Sequence, residues 1–319
     1  MTLTINDLKG KRRLADRTFH VLTVLGGVGI LVILALIAWT ISRRSGDAFQ
    51  IAGIKFFTSS RYVPSHNPPI FGVLAFIFGT AVTSLIAIVI AVPISLGLAL
   101  FTTQVAPAWL KRPLVALTDL VAVVPSVVFG LWGVIFLAPK LVGFFHDLSN
   151  WFHGIPVLDD LFGRVSAGRT FLTAGLILAV MITPIITSIA REVIETCPQT
   201  DRDGALALGA TRWEMITGAV LPHSIGGIVG AVMLGLGRAM GETIAAALVI
   251  GSSATITANI LSSGDSLPAV IANQWGEADD NAKSALIAMG LTLFVMTLIV
   301  NFLATAIVSR STKRMQGAS

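Results

Sequence analysis

Two residues of opposite charge stand inside an apolar stretch of the sequence. Arg238 and Glu242 fall within Ser224–Ile250, and their spacing would place both on one face of a continuous helix. A charge inside a bilayer costs about 2.5–3.5 kcal/mol on insertion scales, so each needs a partner or water. Because the guanidinium of arginine binds oxyanions through two hydrogen bonds, the pair predicts an anion site in which Glu242 orients Arg238. A self-neutralised pair that fixes helix packing is the alternative.

Glycines surround this charged pair. Gly237 and Gly241 have the GxxxG spacing that lets another helix approach closely. Gly226, Gly227 and Gly230 continue the same series of small residues towards the start of the segment. We interpret this series as a helix-packing face, with exposure of backbone amides to an anion path as the alternative.

Ser126 is a third candidate for the same site. It follows Pro125 in the segment VPSVVFG, and a proline within a helix leaves one carbonyl without its intrahelical donor. We predict that Ser126 lines a path shared with Arg238 and Glu242. The five histidines are scattered, none with a metal-ligand spacing, and Cys197 is the single cysteine. We therefore predict neither a metal site nor catalytic residues.

The composition indicates what must hold these residues in place. Of 319 residues, 54% are hydrophobic and 12% are charged, about half the charged share of a soluble domain. A helix needs about 20 apolar residues to cross a bilayer. We predict an all-α membrane protein with a cytoplasmic segment at 1–20 and a transmembrane domain at 21–319. Its six predicted spans are Val21–Ile41, Ile70–Phe101, Leu114–Pro139, Thr170–Ala190, Ser224–Ile250 and Ser284–Ser309.

The region around the fifth span allows two interpretations. Ser224–Leu261 is long enough for one extended helix or for a helix followed by a re-entrant piece. Ser252–Ser263 is too polar for contact with lipid, because no water satisfies polar groups there. We expect it to form a short extracytoplasmic helix or a loop packed against the bundle.

Basic residues predict the orientation of the chain. Six spans place both termini on one side, and that side holds 13 Lys and Arg residues against 8 in the opposite loops. Cytoplasmic loops are enriched in Lys and Arg, so we predict that both termini are cytoplasmic, although Arg43 and Arg44 argue the other way. The net charge is +5, and the basic residues lie between apolar runs. This position favours contact with membrane lipid and argues against nucleic-acid binding.

One predicted cytoplasmic loop differs from the others, and we call residues 191–222 the docking loop. It reads REVIETCPQTDRDGALALGATRWEMITGAVLP. We predict a helix capped by Thr200 or Asp201 and ended by Gly209, then a second helix from Thr211. From the pattern alone, this is either a linker at the membrane surface or a helix that docks in a partner's groove.

The docking loop resembles the EAA loop of ABC-importer permeases. Gly209 matches the family's glycine, and its distance to Leu221–Pro222 also matches. Asp203 stands where the family has glutamate and Gly204 where it has the first alanine, while Ala205 matches. The resemblance implies insertion into a cleft of an ATP-binding subunit. The segment that would insert comprises Asp203, Gly204, Ala205, Leu206, Ala207, Leu208 and Gly209.

Three further segments indicate which subgroup of these permeases the sequence resembles. Those at Val124–Gly133, Thr173–Val193 and Leu236–Thr243 are together similar to phosphate-uptake permeases of the PstC type. This implies a type I ABC-importer permease in the bacterial inner membrane. Its implied partners are a PstA-type second permease, two PstB-type ATP-binding subunits and an extracytoplasmic PstS-type phosphate-binding protein. In that family the arginine and glutamate matching Arg238 and Glu242 are held to be important for transport, and the partner permease is expected to add a second basic residue.

Absent motifs limit the chemistry of the chain. There is no GxxxxGK[ST] phosphate loop, so ATP and Mg are expected on the partner subunits and no cofactor on this chain. Neither a GxSxG elbow nor an HExxH helix occurs, which argues against an enzyme. The remaining alternatives are a permease for sulfate or molybdate, a PstA-type permease, an intramembrane enzyme and a structural scaffold.

Overall fold

The computed structural model describes residues 5–165 and 167–316, and these are mostly helical. A short hairpin pairs β1 (Tyr62–Val63) antiparallel with β2 (Ile70–Phe71). Three π-helical turns interrupt or extend helices, at Phe101–Val105, Gly133–Leu137 and Ile216–Val220. The α-helices are α1 (Ile5–Arg44), α2 (Gly46–Ala52), α3 (Lys55–Thr58), α4 (Leu74–Leu100), α5 (Ala108–Val123), α6 (Ser126–Trp132), α7 (Ala138–Phe152), α8 (Leu158–Leu161), α9 (Phe171–Glu195), α10 (Gln199–Ala207), α11 (Arg212–Met215), α12 (Leu221–Gly241), α13 (Ile244–Val249), α14 (Leu267–Gln274) and α15 (Asp280–Gln316).

Six helical stretches of the described residues are long and apolar enough to cross a membrane, which confirms the predicted number. Four of them overlap the predicted first, second, fourth and sixth spans closely. The six stretches are Asp16–Arg44, Leu74–Val105, Ser126–Phe152, Phe171–Glu195, Arg212–Gly241 and Asp280–Ala306.

The predicted third span, Leu114–Pro139, is wrong in its bounds. Val124 and Pro125 adopt extended conformations, with ψ angles of 126° and 141°, and so separate α5 from α6. Proline lacks an N–H and disfavours helical geometry in the residue before it, which explains the break. The apolar crossing is instead Ser126–Phe152, in which α6, a π-helical turn and α7 run on without interruption.

The predicted fifth span, Ser224–Ile250, is also not one helix. α12 ends at Gly241, Glu242 is extended with φ −69° and ψ 124°, and α13 begins at Ile244. Ser252–Ser263 forms an irregular loop, as one of the two predicted alternatives had it, and its Leu261 is fully buried. Backbone N–H groups of Phe171 and Leu172 donate to this loop, which therefore covers the start of α9.

α9 is the central helix of the bundle. It packs along α4 and α12 and also meets α5, α6 and α13. In its most apolar 18-residue stretch 61% is buried, against 28% or less in the other candidate spans. The core around it holds Ile177, Ile182 and Ile186, all at most 1% exposed. The position of every neighbouring helix therefore depends on α9.

α1 lies at the margin of the bundle. None of its apolar stretch is buried within the chain. Near its end, the Ser284 hydroxyl of α15 donates to the Arg44 carbonyl and accepts from the Ala48 N–H. α1 is thus attached to α15 mainly at one end, and its apolar surface is left for lipid or another subunit.

Asp265 precedes α14 and is buried between α4 and α9. It is 7% exposed, and the Ser266 N–H donates to its Oδ1 at 2.8 Å. Burial raises the pKa of Asp265 from 3.8 to about 6. Since the folded state favours the protonated acid, the contribution of Asp265 to the free energy of unfolding is most favourable below about pH 4. That contribution falls as the pH rises from about 4 to about 6.

We expect Asp265→Asn to stabilise the protein at pH 8 by at most about 3 kcal/mol, because the amide accepts the same hydrogen bond without a buried charge. At pH 5 the gain should be about half as large. Thermal unfolding midpoints in detergent at both pH values test this, with Asp160→Asn at an exposed position as the control. An equal shift at both pH values would contradict the assignment.

Candidate transport site and docking loop

Two helix breaks meet at one level of the bundle. α6 and α13 lie side by side, because a methyl group at Gly130 would lie 2.8 Å from Cδ1 of Leu248 and 2.9 Å from Cα of Ala245. A methyl group at Gly133, three residues further on, would lie 2.8 Å from Cγ1 of Val249. Later residues of one helix thus face later residues of the other, so the two helices run in the same direction. It follows that the break before α6 lies beside the break before α13.

The depth of these breaks in the predicted bilayer follows from the part of α9 that lies beside them. A methyl group at Gly235 of α12 would touch Ile186, and one at Gly133 would touch Ile177. These isoleucines lie on either side of the middle of the 25-residue α9. The two breaks are therefore near the centre of the predicted bilayer, where backbone polar groups persist only beside protein, water or a ligand.

Glu242 occupies the second break and is 9% exposed. Its Oε1 accepts the Ala245 N–H at 3.3 Å, which places the carboxylate at the start of α13. A negative charge is favourable there because the first N–H groups of a helix carry partial positive charge. The prediction that Glu242 shares a helical face with Arg238 is wrong, since α12 ends at Gly241.

Arg238 lies on the exposed face of α12. Within the described residues the ion pairs are Lys111–Glu195 and His153–Asp159, so Arg238 is not paired with Glu242. The same face is open, because methyl groups added at its glycines would meet nothing within 4 Å. These glycines are Gly226, Gly230, Gly237 and Gly241.

Only part of the predicted glycine face packs within this chain. A methyl group at Gly227 would meet the Val193 side chain, and one at Gly235 would meet Ile186. Both contacts are with α9. Gly235 is one helical turn before Arg238, so Arg238 lies at the border between the packed and the open side of α12. The open face therefore needs cover from outside the chain, since an unpaired arginine at this depth is costly.

Ser126 is half-buried at the start of α6. Since the breaks are adjacent, it lies at the level of Glu242, while Arg238 is one helical turn before Glu242. The three predicted residues are thus brought to a common depth, with Arg238 facing outwards from the chain. An oxyanion at this level would meet one guanidinium, one hydroxyl and the N-terminal end of the Ser126–Phe152 helix.

The docking loop contains two helices, as predicted. α10 ends in a turn in which the Ala210 N–H donates to the Ala205 carbonyl and the Gly209 N–H to the Leu206 carbonyl. Gly209 has φ +87°, a conformation that only glycine adopts without strain. The predicted cap is wrong, since α10 begins at Gln199 and the cap residue is Pro198 rather than Thr200 or Asp201. Pro198 has the extended backbone that a cap residue adopts, with ψ 139°, but its side chain makes no capping hydrogen bond.

Large apolar side chains project from the docking loop. Leu208 is 92% exposed, Trp213 is 65% exposed and Leu206 is 42% exposed. Ala205 instead packs against the buried cluster that includes Ile194 and Val220. An exposed set of this kind marks a surface that another protein covers.

Residues 91–313 match the family described as "Binding-protein-dependent transport system inner membrane component". This range includes both helix breaks, Arg238 and the docking loop. The chain belongs to this family. The permease is therefore a multi-pass inner-membrane transport subunit and not an enzyme.

Curated relatives of the permease cover nearly its whole length. The Xylella fastidiosa (strain 9a5c) "Phosphate transport system permease protein PstC" is 38% identical over 97% of this chain and 94% of its own. The Mesorhizobium japonicum PstC is 40% identical over 93% and 91%. The Mycobacterium tuberculosis "Phosphate transport system permease protein PstC 2" is 38% identical over 94% of both chains. The permease is thus of the PstC type.

Solved structures agree on the fold. A chain of a bacterial alginate ABC transporter, crystallised with an alginate pentasaccharide-bound periplasmic protein, superposes with a TM-score of 0.57. It is 16% identical and is matched over 95% of this chain and 98% of its own. A chain of the inward-facing MetNI methionine ABC transporter gives a TM-score of 0.51 at 18% identity, over 73% and 91%. The permease therefore has the type I ABC-importer fold.

Sequence reasoning missed two features of this site. The position of the break at Glu242 was not predicted, because Gly241 and Thr243 are weak local signals of it. Arg202 was considered only as one of the 13 basic residues that predict the orientation of the chain in the membrane. In the structure its Nη2 donates to the Ile194 carbonyl at 2.8 Å. That contact joins α10 to the end of α9 and depends on the path of the chain, which the sequence pattern does not give.

The contact between α6 and α13 gives a direct test. We expect Gly130→Ala to force the two helices apart, since its methyl group would lie within 2.9 Å of Leu248 and Ala245. Overpacking of this kind costs about 1–3 kcal/mol and should also reduce substrate uptake by moving Ser126 away from Glu242.

The matched control is Gly143→Ala, on the same crossing, where an added methyl group meets nothing within 4 Å. Thermal unfolding and uptake are measured for both variants. Equal behaviour of Gly130→Ala and Gly143→Ala would contradict the proximity of the two breaks.

Proposed function

We propose that this chain is the transmembrane permease subunit of an ATP-driven phosphate importer. The observation that carries the proposal is the 38–40% identity, over nearly the full length, to curated PstC phosphate permeases. The position of Arg238 supports it, because a guanidinium at mid-depth can bind a phosphate anion through two charge-assisted hydrogen bonds. Sulfate and molybdate are the competing oxyanions, and no relative named above is described as carrying either.

The phosphate path is proposed to run between this chain and a second permease of the PstA type. Two properties of α12 support this location. Its face with Gly230, Gly237 and Gly241 is open, and Arg238 is exposed at the edge of that face. A second subunit laid along this face would exclude lipid from Arg238 and could supply a second basic residue. The phosphate would then be held by groups from both permeases.

Within this chain each site residue has a distinct proposed role. Arg238 binds the anion, and Ser126 offers a hydroxyl donor beside the start of the long Ser126–Phe152 helix. Glu242 is held by the Ala245 N–H and places a negative charge near the bound anion. Repulsion between that charge and phosphate would keep binding weak enough for release, as a transport pathway requires.

ATP hydrolysis is proposed to act through the docking loop. Two PstB-type subunits, which would carry ATP and Mg, bind Asp203–Gly209 of the two permeases. The exposure of Leu206, Leu208 and Trp213 supports a protein partner on this surface. A PstS-type binding protein would deliver phosphate from the other side. This arrangement requires the docking loop and both termini to be cytoplasmic, in line with the distribution of Lys and Arg.

The phosphate site is tested by removing one charge. We expect Arg238→Gln to lower radiolabelled phosphate uptake about tenfold or more, because a charge-assisted hydrogen-bond donor is lost at the site. Arg238→Lys should be intermediate, since it keeps the charge without the fork. Arg17→Gln, which removes an exposed charge within α1, is the control. Uptake that stays normal in Arg238→Gln at normal expression would refute the assignment.

A further inference from the structure

Arg202 is the one charged residue of α10 with a described hydrogen bond to α9. Its Nη2 donates to the Ile194 carbonyl at 2.8 Å, and the side chain is half-buried. Asp203, the next residue, is exposed and accepts a hydrogen bond from Gln199 within the same helix. α10 thus has two sides, one held against α9 and one facing away from the bundle.

The joint between these two helices is short. Only Thr196, Cys197 and Pro198 separate the end of α9 from the start of α10. Such a linker fixes the distance between the helices but allows rotation about its backbone dihedral angles. The Ile194 carbonyl lies in the last turn of α9 and also accepts the Cys197 N–H, and a cation is favourable there because the carbonyl end of a helix carries partial negative charge. The Arg202 bond therefore closes the joint and sets the angle of α10.

The geometry of Arg202 indicates more than local stability. Its Nε is buried and has no acceptor within the described residues, which is uncommon in native proteins and calls for an explanation other than local stability. The Ala205 methyl group, one turn further along α10, packs in the same cluster as Ile194. Arg202 and Ala205 together form the side of α10 that faces the end of α9.

α9 in turn is closely packed on α12. Gly227 and Gly235 have room for no side chain, because a methyl group on them would collide with Val193 and Ile186 respectively. Close-packed helices move together, since a core has little free volume to absorb a shift. Arg238 lies one turn beyond Gly235. A displacement of α9 is thus passed to the part of α12 that carries Arg238.

We propose that Arg202 is a positioning residue that locks the joint between α9 and α10. With the lock in place, movement of the docking loop becomes movement of α9 and α12 instead of bending at residues 196–198. This inference rests on the proposed coupling function. It adds that transport yield per ATP depends on Arg202, a residue outside the proposed phosphate site whose side chain is half-buried and bonded to α9.

The test uses the complete transporter reconstituted in proteoliposomes with its binding protein. Arg202→Met keeps the apolar stem but removes the donor, Arg202→Lys keeps a cationic donor, and Arg112→Met is the control at an exposed arginine. Phosphate taken up and ATP hydrolysed are measured for the same vesicles. We expect Arg202→Met to lower uptake per ATP at least about threefold, with Lys restoring most of it and the control unchanged.

The ratio separates positioning from stability, because lost folding or assembly lowers both quantities together. An unchanged ratio in Arg202→Met, or an equal fall in Arg112→Met, would overturn the inference. Docking is measured separately by crosslinking Leu208→Cys to the ATP-binding subunit. Failure of that crosslink in the otherwise unchanged complex would refute the proposed docking, whereas a retained crosslink with an unchanged ratio refutes only the role of Arg202.

Discussion

The structure depends on the constraint that a polar group at mid-membrane must have a partner. A bilayer offers none, so broken helices and charges persist only where protein, water or ligand surrounds them. Here two helix breaks, at Val124–Pro125 and at Glu242, lie side by side at that depth. Glu242 satisfies part of one break itself, and Arg238 beside it remains open to a partner outside the chain. This combination is expected of a translocation path shared by two subunits.

α9 connects the path to the surface on which a motor would act. Its middle contacts α12 through Ile186 and Gly235, and its end receives the hydrogen bond from Arg202. The docking loop, by contrast, exposes Leu208 almost fully. The chain therefore has a closely packed axis between an open charged face and an exposed apolar surface. Each of these two surfaces is incomplete without another protein, which is consistent with a subunit of a larger transporter.

The sequence predicted most of the fold because its strongest signals are long apolar runs and punctuating glycines. Six spans and the Gly209 turn followed from length and backbone preference alone. The break at Pro125 was missed, because apolar residues on both sides made that region appear to be one continuous helix. For Ser224–Leu261 a helix followed by a re-entrant piece was one of two alternatives, but the sequence did not place the break at Glu242. The pairing of Arg238 with Glu242 failed for the same reason. Contacts such as Arg202 with Ile194 depend on tertiary geometry and leave no local pattern.

The central proposal is that Arg238, exposed on α12 at mid-membrane, binds phosphate on its path through the transporter. The most direct measurement is uptake of radiolabelled phosphate and, separately, of radiolabelled sulfate. It uses cells that lack their other transporters for both anions and express this chain with its partner subunits. We predict energy-dependent accumulation of phosphate and none of sulfate above the level of cells without the chain. Accumulation of sulfate without phosphate would contradict the account.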